Sequence, residues 1–107
     1  MLQNLFMEMK IVWTDTALKS YEEIVDYIVF KFTTREAIVF IDKTATATDT
    51  ILNNKKIGVP HEKTIYRKFL IAKQTYLFYR VENKTIYLTV FWNNIKDPIG
   101  LETILRS

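Results

Sequence analysis

The sequence predicts an α+β fold: a single domain in which an antiparallel sheet of about four strands packs against an N-terminal helical hairpin, in the order β-α-α-β-β-β-α. Three observations predict it. Ile65–Ala72, Thr75–Glu82 and Thr85–Trp92 are runs of Ile, Val, Tyr, Phe and Thr, residues that fit a pleated, half-buried surface. Only the dipeptides Lys73-Gln74 and Asn83-Lys84 separate them, which is hairpin spacing. Upstream, apolar residues recur every three or four positions, as on the buried side of a helix.

In chain order, Ile11-Val12-Trp13 reads as a short strand that joins the sheet. Thr14 is a helix N-cap, with Asp15 in the first turn where the helix dipole favours an anion. Leu18, Tyr21, Val25, Ile28 and Phe32 then form one stripe, widened by Ile24. Thr33 and Glu36 have capping-box spacing, so a second helix restarts there and runs to about Asn53. Its expected buried side is Phe40 or Ile41, Ala45, Thr48, and Ile51 or Leu52. So short a break between the helices implies an antiparallel hairpin.

Asn53–Glu62, with Gly58 and Pro60, reads as a loop. In the strands that follow, period-2 alternation puts Leu77, Tyr79 and Val81, and Ile86, Leu88, Val90 and Trp92, on core faces. Tyr76, Phe78 and Arg80, and Thr85, Tyr87, Thr89 and Phe91, take the other face, which suits solvent or a binding partner. Asn93–Lys96 is a connector. Asp97-Pro98 opens a tail helix over Ile99–Leu105, whose Leu101, Ile104 and Leu105 are placed to pack on the sheet.

Size and composition exclude several classes. The 107 residues fit one domain. Residues 1–8 read as an extension and 9–107 as the domain, because Met9-Lys10-Ile11 resembles an alternative start. No Cys is present, so there is neither a disulfide framework nor a thiolate metal site, and a reducing cytoplasm is the expected compartment. No run approaches the ~20 apolar residues that span a bilayer, and the opening lacks the pattern of a signal peptide. The halves differ in charge. Residues 1–54 carry five Lys/Arg against eight Asp/Glu; residues 55–107 carry ten against four. The sheet half is therefore basic, as expected of a surface that meets phosphate or an acidic peptide.

No catalytic signature appears. Two glycines cannot build a phosphate loop, and no His/Cys/carboxylate set has metal-ligand spacing, so no cofactor or metal is expected. His61 stands alone in the loop. What remains is a basic and aromatic set on the strands: Arg67, Lys68, Lys73 and Arg80 with Tyr66, Tyr76, Tyr79 and Tyr87. Arg forks onto phosphate, and rings stack on unpaired bases; the same residues also serve a sheet as ordinary covering side chains.

The order of elements, with Ile11–Thr14 leading to Tyr27-Ile28, Arg67-Lys68-Phe69, Tyr79-Arg80-Val81, Ile86-Tyr87-Leu88 and Asp97-Pro98, resembles the RelE/ParE superfamily of type II toxin–antitoxin toxins. The resemblance covers roughly Met9 to Leu105. It implies a small cytoplasmic toxin of a plasmid-stabilisation type system, neutralised by a cognate antitoxin that covers the sheet and the groove beside the hairpin. Its target is DNA gyrase if ParE-like, or mRNA on the ribosome if RelE-like. The resemblance assigns phosphate contact to Arg67 and, more distantly, a role to Arg80 beside Tyr79; the candidate target-binding set is Arg67, Lys68, Tyr79, Arg80, Tyr87 and Lys96. Many members carry an Arg after the last strand, where this chain has Ile95, and no Tyr or His follows Tyr87. An RNase must activate a 2′-hydroxyl and protonate a leaving oxygen, so these departures favour the ParE-like alternative. A degenerate, non-catalytic interaction module is a third reading. An exposed aromatic surface also suits a homodimer.

Overall fold

The computed structural model describes residues 8–93 and 98–106. It contains β1 (Lys10–Trp13), α1 (Asp15–Lys31), α2 (Thr34–Asn53), β2 (Val59–Pro60), β3 (Tyr66–Ala72), β4 (Thr75–Glu82), β5 (Thr85–Asn93) and α3 (Pro98–Arg106). The sheet has five strands in the order β1-β5-β4-β3-β2. The expected α+β order is observed, with one strand added. Val59 and Pro60 pair with Lys68 and Arg67 from within the segment read as loop. Two residues are too few to show a period, and a proline is tolerated because this strand is at the edge. β1 joins β5 in parallel, Ile11 opposite Ile86 and Trp13 opposite Leu88, while the other pairings are antiparallel. The reading of residues 1–8 as an extension lies outside the described residues but for Glu8, as do Asp97 and Lys96.

Thr14 caps α1 as expected, accepting from the Ala17 N–H at 3.1 Å, and its hydroxyl also donates to the Leu88 carbonyl at 2.7 Å. Further along the helix the Ser20 hydroxyl accepts from the Phe91 N–H at 2.9 Å. These bonds lock α1 across β5. We therefore expect Thr14→Ala to lower stability by about 1–2 kcal/mol in urea denaturation, as loss of a cap does.

Thr33 caps α2, accepting from Glu36 N–H at 3.0 Å. The buried side of α2 is Ala37, Phe40, Thr44, Ala47 and Ile51, so Ala45 and Thr48 stand one position off the true stripe. Thr44 can lie there because its hydroxyl donates to the Phe40 carbonyl at 2.9 Å, leaving no unpaired polar group. Ala17 is the fully buried residue of α1; Leu18 is half-exposed, and Phe32, the residue after the helix, is exposed.

The two faces of the sheet are both covered. Under the helical hairpin lie Leu77, Tyr79, Ile86, Leu88 and Phe91; under α3 lie Phe78 and Val90, with Leu101 and Leu105 from the helix. This corrects the expected alternation in β5. Phe78 pairs with Val90 but Tyr79 pairs with Leu88, so Thr89 is an extra residue, a β-bulge. Beyond it the faces swap: Phe91 turns to the hairpin, and Val90 and Trp92 turn to α3. The tail helix packs through Leu101, Ile104 and Leu105, as the sequence indicates.

Candidate functional site

The basic half of the chain does not form one patch. Register divides it between the two faces of the sheet. Tyr66 is opposite Arg80, which is opposite Tyr87, and these three form a row across β3, β4 and β5. The Arg80 guanidinium lies over the Tyr87 ring at 4.2 Å and reaches the Glu82 carboxylate at 3.2 Å. The neighbouring row begins with Lys68, whose ammonium lies 5.2 Å from the Tyr76 ring. Two cation–aromatic pairs thus stand side by side beside α3. Lys68, Arg80 and Tyr87, from the sequence-predicted set, are brought together here. Lys96 lies outside the described residues.

Arg67 and Tyr79 face the other way, and each has a structural task. They are directly opposite in the β3–β4 pairing. Tyr79 is fully buried. Its hydroxyl donates to the Lys55 carbonyl and accepts from the Gly58 N–H, each at 2.9 Å. The Arg67 guanidinium donates to the Gly58 carbonyl at 2.7 Å and the Lys56 carbonyl at 3.2 Å. Together they hold the α2–β2 connection against the sheet. Gly58 is required there, since a Cβ would stand 2.6 Å from the Tyr79 oxygen. Burial pushes the Tyr79 phenol above its usual range, against the opposing pull of the Gly58 bond and the Arg67 charge. Tyr79, from the expected binding set, exposes no surface, and Arg67 donates to loop carbonyls. Strand alternation sets Tyr79 on the core face with Leu77 and Val81; what it cannot show is the connection that the hydroxyl holds.

His61 is not alone. Its Nε2 is 3.0 Å from Glu102 on α3, and its ring stands edge-on to Phe78 at 5.2 Å. Arg106 approaches the same carboxylate at 3.7 Å. His61, Glu62 and Glu102 place ligand atoms within 4.8 Å of one another, two of these residues being hydrogen-bonded to each other. Glu102 was invisible from sequence because 41 residues separate it from His61; the periodicity of α3 gives its helix but not its partner.

On the hairpin side, a groove of about 400 Å³ runs between α2 and β3. Ala47 and Ile71 form its floor, Val39 and Phe69 its walls, and Asp42 and Lys43 its rim. β2 covers only Arg67 and Lys68, so in the described chain no strand pairs with the outer edge of β3 beyond them. Among the described residues no helix is long and apolar enough to cross a membrane.

Comparison with known proteins fits this geometry. The family model describing the ParE toxin of the type II toxin–antitoxin system parDE matches residues 11–92. Among solved structures, a chain of the chromosomal ParDE toxin–antitoxin system from P. aeruginosa superposes with a TM-score of 0.70 at 20% sequence identity, over 81% of this chain and 97% of that one. At that identity the likeness speaks for the fold. No curated protein matches the chain in sequence.

Proposed function

The chain belongs to the ParE toxin family of type II toxin–antitoxin systems, and on that premise we propose how its surfaces divide the work. An antitoxin segment seats in the groove between α2 and β3, and the face beside α3 meets the target. The observation that carries this reading is the separation of the two surfaces. The groove is apolar, bordered by an open strand edge, and lies on the hairpin side. The cation–aromatic pairs Arg80–Tyr87 and Lys68–Tyr76 lie on the opposite face. Extended partner segments bind in this way, by main-chain pairing at an edge and apolar side chains in a groove.

Expression should arrest growth, and co-expression of the cognate antitoxin should relieve the arrest. Val39 is half-exposed in the groove, so Val39→Glu leaves the fold intact while placing a charge where the apolar partner would lie. Arrest that persists in this variant but is no longer relieved supports the seat. Relief equal to that of the parent chain argues against it.

Within the family premise the target follows the ParE-like alternative, DNA gyrase, read out by a supercoiling assay. Support comes from the tasks already held by Arg67 and Tyr79, which tie the arginine assigned to phosphate to the Gly58 and Lys56 carbonyls. One observation favours the mRNA endonuclease instead: the His61–Glu102 pair against Phe78 is an acid–base pair beside Lys68, which is opposite Phe78. Codon-phased cleavage in a translating extract, lost in His61→Gln, would establish that reading. Intact message with the parent chain would remove it.

A further inference from the structure

The most exposed aromatic side chains lie on neither of these surfaces. Phe30 is 88% exposed, Phe32 61%, Tyr27 55% and Ile38 53%, all at the free end of the helical hairpin. Single exposed apolar residues are ordinary, but a cluster of aromatic ones marks an interaction surface. Helical spacing shows how the cluster is organised. Glu23, Tyr27 and Phe30 are four and three residues apart and share one face of α1, with Lys31 at its margin. That face points away from the side on which Ala17, Ile24 and Ile28 enter the core. Glu23 and Lys31 take part in no ion pair among the described residues.

We infer that this face of α1 binds a second copy of the chain, the two α1 helices crossing antiparallel about a two-fold axis at Tyr27. The charge pattern selects that partner. In such a pairing, positions equally distant from Tyr27 face each other. Glu23 and Lys31 are each four residues from it, so Lys31 of each copy meets Glu23 of the other, twice. A parallel pairing would set Glu23 on Glu23 and Lys31 on Lys31, which repel. Tyr27 packs on its own counterpart, and Phe30 enters between Glu23 and Tyr27 of the second copy, giving a cluster of aromatic rings that favour edge-on and offset contacts. The contact leaves the α2–β3 groove and the α3 face open, so it is compatible with antitoxin and target binding and does not depend on either.

Sedimentation velocity of the purified chain between about 1 and 100 μM tests this. A concentration-dependent dimer is expected. Phe30→Ser should shift it to monomer while leaving the circular dichroism spectrum unchanged, since the side chain makes little of the fold. Glu23→Lys and Lys31→Glu should each weaken the dimer about tenfold, and the double exchange should restore it. A monomer at every concentration overturns the inference. So does a dimer indifferent to Phe30→Ser, or a double exchange weaker than either single one.

Discussion

Tyr79→Ala should lower the free energy of unfolding by about 3–5 kcal/mol in urea denaturation, the cost of emptying a large buried aromatic site. Domains of this size are stable by about 5–15 kcal/mol, so the loss takes a large share of the whole. The ring is fully buried among the residues that join the sheet to the hairpin. Its hydroxyl adds a second function, tying Lys55 and Gly58 to the sheet. Tyr79→Phe isolates that function. It keeps the ring and leaves the Gly58 N–H without its acceptor, which should cost about 1–3 kcal/mol.

The same hydroxyl sets an alkaline limit on stability. Burial raises the folded-state pKa of Tyr79 above its unfolded value, and Tyr21 is raised in the same way. The neutral phenol is the form the fold prefers. Its contribution is therefore complete below the unfolded value of about 10 and is lost as pH rises through the folded one. Melting temperature should fall steeply above about pH 10, and Tyr79→Phe should flatten part of that fall. Equal slopes for the parent and Tyr79→Phe would mean that the alkaline transition has another origin.

These expectations mark the limits of the sequence. The three long strands and both helices of the hairpin follow from period alone, because Leu77, Ile86 and Leu88 have to alternate with residues on another face. Thr14 is recognisable as a cap for the same local reason. What period cannot show is a single inserted residue. Thr89 breaks the alternation in β5, and everything after it changes side. Nor can period assign a face to a basic residue when both faces are covered. Arg67 and Lys68 are adjacent in sequence and both basic, yet one grips loop carbonyls and the other lies over a ring on the opposite side. The His61–Glu102 pair is a tertiary contact between a loop and the last helix, and no local pattern encodes it.

That division between adjacent residues leads to the second large effect. Arg80→Ala should weaken target binding by about 30-fold or more, the size of loss seen when an interface arginine is a hot spot, and growth arrest should fall with it. The fold should hardly notice. Arg80 contributes a partly exposed ion pair with Glu82 and a contact with the Tyr87 ring, interactions worth at most about 1 kcal/mol each. Arg67→Ala should behave in the opposite manner. It releases the Lys56 and Gly58 carbonyls, so arrest is lost together with stability. Measured side by side, melting temperature and plating efficiency separate the two arginines. Arg80→Lys refines the comparison, because it preserves the charge and loses the planar fork that stacks on Tyr87. Full activity in Arg80→Lys would mean that the target reads charge alone. Full activity in Arg80→Ala would mean that the face beside α3 is not where the target binds.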